Sequence, residues 1–331
     1  RFAHSYRSLA HKTEGALQLS GLRFLAGGDG RFGLPDSEDF MSLTLSDVKN
    51  WVAPALAAEP LELSMAGDFD PETALSLARR FLGNLPARPG LKGPGRSRTL
   101  CFPKGGEHVV MVDTSIETGL CMVAYPTSDV WEIGRTRRLN ILGDILTDRI
   151  RERIREKMGA TYSPSAWNMA SRAYKDYGIL SAIVRVDGDK ARQMADEVKA
   201  IAEELKTGGV TEDELQRAVA PAVTSVKETL RNNSYWLNTV MAGSARHPEQ
   251  LDWSRTILTD YGSISAREIS GMAASWLINE QSAMILVIPD PNQAAKSGQA
   301  VSAPRKPAKK SVKKPVKKSK KAKTRKRSRR R

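Results

Sequence analysis

Apolar positions recur at helical spacing over residues 5–25, where Leu9, Ala16, Leu17, Leu19 and Leu22 share one face. Gly27, Gly28 and Gly30 then break the pattern. After a loop through Leu34, Pro35 and Asp36, Ser46 stands as the N-cap of a helix that runs past Trp51 and stops before Pro60. Residues 61–66 alternate apolar and polar, which predicts a strand with one solvated face. A turn through Gly67, Asp68 and Phe69 leads to Asp70 as N-cap and Pro71 at the first helical position, and this helix ends at Gly83. Helix, loop, helix, strand and helix in that order read as the closing part of an α+β domain whose opening strands are absent.

A second unit looks complete. Residues 108–113 and 119–124 are strand candidates rich in Val and Met. Residues 134–157 carry Leu139, Leu142, Ile145, Leu146, Ile150 and Ile154 on one helical face. Strands follow at 161–171 and 177–186, joined by a polar turn around Lys175 and Asp176. A helix over 187–205 ends at Gly208 and Gly209, and Thr211 with Glu214 forms a capping-box start for another, through about residue 230. Shorter helices over 235–245, 247–259 and 265–277 lead to a last apolar strand at 283–289. Strands, a helical block and a final strand predict an α+β unit with an antiparallel-rich sheet and one helical layer.

The closing strand of each unit follows a helix that carries a Trp, Trp51 in the first and Trp276 in the second. That echo suggests two copies of one domain type, the first truncated: 1–86 the truncated copy, 87–99 a Pro-, Gly- and Arg-rich linker, 100–290 the complete copy. Residues 291–331 are Ala, Pro, Ser, Lys and Arg with almost nothing apolar to bury, and are expected to be a disordered tail.

Charge sharpens this division. The chain has 331 residues and a formal charge of +15, but 18 of its 52 Lys and Arg lie in residues 296–331, where no acidic residue occurs. Removing those 18 leaves 34 basic against 37 acidic residues, so the body carries −3 and the basic character belongs to the tail. The chain begins with Arg1 and is read as a piece of something longer. No run of about 18 apolar residues is present to form a membrane-spanning helix.

Several chemistries are excluded by their missing signatures. There is no phosphate-binding Walker loop, no dinucleotide glycine fingerprint and no Gly-x-Ser-x-Gly elbow. His4, His11, His108 and His247 are scattered, none in an H-E-x-x-H or H-x-x-E-H context. Cys101 and Cys121 sit in apolar surroundings without a ligand at metal-binding spacing, and are expected as buried free thiols, with a bridge between strands as the alternative. Residues 155–166, REKMGATYSPSA, remain: Arg155 closes a long amphipathic helix and Tyr162, seven residues on, opens a strand. Taken alone, Arg155 complements the helix C-terminus together with Arg151, Arg153 and Lys157, and Tyr162 is a half-buried strand aromatic.

The order of elements, the LPARPG linker, the segment GDFDPETALSLARRFLGNLP and the REKMGATYSPSA turn together resemble the pitrilysin/insulinase family of zinc peptidases, over residues 5–289. The resemblance implies a clamshell of two halves, each of two homologous α+β domains, with this chain as the C-terminal half. It implies zinc held by an inverted H-x-x-E-H motif in the N-terminal half, in the same chain or a partner subunit, and none of that motif is present here. It also implies that Arg155 and Tyr162 match the arginine and tyrosine that reach across the chamber toward a peptide or protein substrate. Peptide hydrolysis builds negative charge on the carbonyl oxygen, which a phenol donor stabilises, and arginine offers a fixed fork for a carbonyl or carboxylate. The family turn usually sets its glycine beside the tyrosine, whereas Ala160 and Thr161 separate Gly159 from Tyr162. Ser163, Ser165 and Asn168 are the polar neighbours of that chamber, and the strand after Tyr162 could take an extended peptide along an open edge.

Two other classes stay open. The chain could be a non-catalytic member of the same fold. Alternatively its tail, similar to the proline-spaced lysine tails of linker-histone-like proteins, could carry the function by binding nucleic acid or another anionic polymer through counterion release.

Overall fold

The computed structural model describes residues 6, 8–88, 90, 99–114, 116–158 and 163–290, with the side chains at 155, 157 and 158 outside that description. The expected disordered tail, most of the linker and the turn that includes Tyr162 lie outside the described residues.

Five strands form one mixed sheet: β1 (Glu107–Val112), β2 (Thr118–Thr127), β3 (Ser165–Ala170), β4 (Gly178–Asp187) and β5 (Ala283–Pro289), in the order β1-β5-β2-β4-β3. Only β1 and β5 are parallel; the other three pairings are antiparallel, so the expected α+β, antiparallel-rich sheet is what forms. β2 and β4 are long and apolar on both faces because they lie at the centre and are covered on both sides. Asp176 turns the chain between β3 and β4 with φ 56, a conformation its short side chain tolerates, and its N–H donates to Asp129 Oδ2 at 2.8 Å.

One face of the sheet packs on helices that supply most of the core. These are α5 (Ile133–Met158), α6 (Ala191–Gly208), α7 (Glu212–Thr229), α9 (Glu249–Ser263) and α10 (Ala266–Trp276). Between α7 and α9, α8 (Asn233–Tyr235) runs on into a π-wound stretch, Trp236–Met241. Leu139, Leu142, Ile145, Leu146, Ile150 and Ile154 of α5 are all buried, as their helical spacing requires.

The opposite face is not bare. The first helix, α1, winds through Thr13–Ala16, a π-wound Leu17–Gly21 and Leu22–Leu25, and it packs Ala16 and Leu25 against Leu120, Met122, Ile285 and Val287. Arg185 of β4 reaches Glu14 at 2.6 Å, and the Tyr177 hydroxyl donates to the Leu25 carbonyl at 3.2 Å. The sequence groups this helix with residues 26–86, yet its apolar stripe is buried by the sheet of the later strands. Periodicity gives a helix its apolar face and says nothing of what covers that face.

Residues 26–86 pack differently. They form α2 (Ser37–Ser42), α3 (Leu45–Ala58) and α4 (Pro71–Leu82). Asp70 caps α4 as expected, its carboxylate accepting the Thr73 N–H at 2.8 Å. The cap of α3 is Thr44, in a reciprocal box with Asp47, rather than Ser46: Asp47 three residues on can answer Thr44, and Ser46 has no such partner. Residues 61–66 are extended but not strand, because no strand among the described residues lies beside them. Cys101 corrects another expectation: both thiols are free, but Cys101 is exposed in the coil ahead of β1 while burial pushes the Cys121 thiol up to about 12.

Candidate active-site face

Helix α5 holds the candidate site in place. Arginines on it are tied to the neighbouring helices at successive heights. Arg137 donates to Asp260 at 2.8 Å and to the Trp253 carbonyl at 2.7 Å, and Arg138 reaches both Asp260 and Glu268. Arg149 donates to Glu214 at 2.7 and 3.1 Å, and to the Gly209 carbonyl at 2.7 Å. Arg153 pairs with Glu204 at 2.6 Å and Glu197 at 3.4 Å on α6. Such multiply bonded, partly buried pairs fix orientation, where an isolated surface pair would contribute little.

Arg155 stands on the last turn of this helix. By spacing it lies four residues beyond Arg151, seven beyond Asp148 and eleven beyond Asp144, which places all four on one stripe. Asp148 and Arg151 form an ion pair on that stripe. Desolvation pushes the Asp144 carboxyl up to about 6, and the charge of Asp148 a turn away adds to the rise. Sequence alone does not single out these acids and Asn140; their spacing of seven, eleven and fifteen residues from Arg155 is the available signal.

β3, which follows after residues 159–164, is the edge strand of the sheet next to α5. Its side chains alternate, so the proposed substrate contacts do not converge on one surface. Asn168 faces the helical layer, accepting from Thr127 Oγ1 at 3.0 Å and lying 3.5 Å from Asn140. Ser165 belongs to the opposite face of the sheet with Trp167 and Met169, and Ser163 is exposed ahead of the strand.

The outer edge of β3 is partly closed. Thr147 of α5 accepts the Ala166 N–H at 2.7 Å and lies 3.3 Å from its carbonyl oxygen, which marks Ala166 as pointing away from β4. Two residues earlier Pro164 has no N–H to offer. Only from Asn168 onward does the alternation leave backbone groups directed outward without such a block. Gly143 permits this closeness, since a Cβ there would lie 3.3 Å from the Ala166 carbonyl oxygen and Trp167 Cα.

No group of three His, Cys, Asp or Glu side chains that could hold a metal ion exists among the described residues. Zinc therefore has no fitting ligand set in this part of the chain. Among the described residues, the α5–β3 face offers the Asp144 and Asp148 carboxylates, the Asn140 and Asn168 amides and the Arg151 guanidinium.

A mixed five-stranded sheet layered with helices is the fold of M16-like peptidases. A protease from Helicobacter pylori superposes with a TM-score of 0.69 at 15% identity, covering 87% of this chain and 71% of that one. The ferredoxin protease FusC, solved with Arabidopsis ferredoxin, gives 0.64 at 14% identity over 87% of this chain and 32% of its own. The Peptidase M16 inactive domain matches residues 42–221, more than half of the chain, and the chain belongs to the M16 peptidase family. The pitrilysin/insulinase resemblance read from the sequence is thereby borne out. Among curated relatives, the chloroplastic stromal processing peptidase of Arabidopsis thaliana is 22% identical over 317 residues and that of Pisum sativum 23% over 280 residues. These matches take in 80% and 70% of this chain but only 25% and 22% of the relatives' length.

Proposed function

We propose that this chain is the C-terminal half of an M16-type zinc endopeptidase, contributing Arg155 and Tyr162 to a site whose metal and general base come from an N-terminal half. That half is part of the same polypeptide or a partner subunit. The observation that carries this reading is the placement of REKMGATYSPSA. It straddles the end of α5, the helix fastened by Arg137, Arg149 and Arg153, and falls inside the family-matched span.

In this reading the Tyr162 phenol donates to the carbonyl oxygen of the peptide bond as charge gathers on it, and the Arg155 guanidinium holds a substrate carbonyl or carboxylate. Asn168, on the α5 side of the sheet, supplies a polar contact to the peptide and is the first position at which β3 could also pair with an extended chain, while Ser165, on the opposite face, lies away from that surface. The division of the chain at 87–99 belongs to the same proposal. Tyr162→Phe in the complete peptidase is expected to lower kcat on a fluorogenic peptide by about 10²-fold with little change in KM. Unchanged turnover would remove Tyr162 from the chemistry.

A non-catalytic member of the same fold is the second reading, favoured by the "inactive" description of the matched domain. A complete chain or complex without any H-x-x-E-H would decide for it. The tail supports a separate accessory role, since 18 Lys and Arg with no acid attract any anionic polymer. Deleting residues 291–331 is expected to abolish heparin and DNA retention at low salt while sparing peptide turnover. Retention that survives the deletion would locate anion binding elsewhere.

A further inference from the structure

The basic segment leaves the body at a definite place. β5 ends at Pro289, where it pairs with Val112, and two residues back Val287 lies opposite Leu120 near the start of β2. Thr118, at that start, pairs with Asp187 at the end of β4, and Ser165 at the start of β3 pairs with Ile183. The end of β5 and the start of β3 therefore share one end of the sheet. In the order β5-β2-β4-β3 three strand spacings separate them, about 14 Å.

Helix α5 points to the same end. Asn140 lies level with Asn168 and Thr147 with Ala166, so the helix runs antiparallel to β3. Its last turn, which carries Arg155, continues past the first residue of the strand. Tyr162 stands three residues before Ser165. The root of the basic segment and the stretch that holds the proposed catalytic pair thus join the body at one end of one sheet.

The chemistry of the segment narrows what it takes. Lys296, its first cation, is six residues from Asp290, at most about 20 Å of extended chain. From Arg305 onward 17 of 27 residues are Lys or Arg, and five of the last seven are Arg, whose planar fork matches a carboxylate. Residues 291–331 contain no Phe, Tyr or Trp, so they offer nucleic-acid bases nothing to stack on. The body, at −3, gives an acidic polypeptide no net attraction, which leaves the segment as the element that distinguishes acidic from neutral chains.

We infer that residues 291–331 capture acidic stretches of polypeptide substrates and present the neighbouring peptide bonds to the site at this end of the sheet. The inference rests on the peptidase reading of Arg155 and Tyr162 and names a substrate class for that site: proteins that carry a run of Asp and Glu. Capture turns the second contact, at the site, into an intramolecular one with an effective concentration of about 1 mM. It therefore acts on KM and leaves kcat alone. Because it works by charge between solvated groups, it fades as salt rises.

The complete native peptidase, with and without residues 291–331, tests this. The probe is a peptide of about ten glutamates joined to a neutral stretch bearing a photo-crosslinking benzoylphenylalanine. At low salt it is expected to bind the intact protein about 10-fold more tightly than the shortened one, and to lose that margin near 0.5 M salt, where the Debye length is below about 5 Å. Its crosslinks are expected at the starts of β2 and β3 and on the last turn of α5. A protein substrate with such an acidic run should show a KM about 10-fold higher after the deletion, at unchanged kcat, while a neutral peptide keeps its KM. Binding indifferent to the deletion, or crosslinks confined to residues 291–331, would overturn the inference. So would an unchanged KM for the acidic substrate beside tail-dependent retention of DNA, which would assign the segment to nucleic acid. These readouts follow the deletion, whereas the catalytic reading is decided by Tyr162→Phe, so the two failures are told apart.

Discussion

Arg149 on α5 clasps Glu214 at the start of α7 through two bonds of 2.7 and 3.1 Å, while Glu214 also closes the capping box with Thr211. One carboxylate thus starts a helix and pins the half of α5 that ends in Arg155, six residues further on. The pair is mostly buried, with side-chain exposures of 20% and 14%.

Glu214→Gln is expected to destabilise the protein by about 2 kcal/mol at pH 7. Burial alone would raise the Glu214 carboxyl, but the Arg149 and Thr211 bonds outweigh it and hold it at about 2, below its ordinary 4.5. A depressed carboxyl contributes stability that is complete above pH 4.5 and is lost as pH falls through about 2. Urea unfolding of the parent and variant should therefore converge toward pH 2 and diverge above pH 4.5; a gap independent of pH would assign the loss to packing.

Asp144→Asn should act in the opposite sense. Its carboxyl is raised to about 6 by desolvation and then by Asp148, so ionising it costs stability. That stability is fully present below about pH 4 and lost as pH rises through 6. The neutral amide is expected to gain up to about 1 kcal/mol at pH 7, a figure discounted because the residue is partly exposed, and nothing at pH 4. Thermal melts at the two pH values check it, and a variant no more stable at pH 7 would mean the acid is fully solvated.

Thr147→Val keeps the shape of the side chain and removes the hydroxyl that holds Ala166 N–H. A loss of about 1 kcal/mol is expected, together with faster exchange of the Ala166 amide. The same change opens the outer edge of β3, so a rise in concentration-dependent aggregation should accompany it. An unaltered Ala166 exchange rate would show that the edge is shielded by something other than Thr147.

Much of the fold was legible beforehand because its signals are local. The stripe from Leu139 to Ile154, the Thr211–Glu214 box and the alternation of the later strands each fix an element within a few residues. The site was legible only as a pair of residue types at a spacing. Asp144, Asp148 and Thr147 are not legible because nothing local marks an acid on a helix that lies against a strand, or distinguishes a helical threonine from one closing a sheet edge.

By itself, then, the sequence determined most of the elements, the caps at Asp70 and Thr211, the separation of a near-neutral body from a basic tail, and the family. Tertiary structure decided which surfaces meet. It laid α1 on the sheet of the later strands, set β3 at the rim beside α5, split Ser165 and Asn168 between opposite faces, and left residues 61–66 extended with no strand beside them among the described residues. The physical reason is range. Helix and strand patterns are written over neighbouring residues, whereas pairing and burial are settled between residues as far apart as Glu107 and Met284, where an apolar face looks the same whatever covers it.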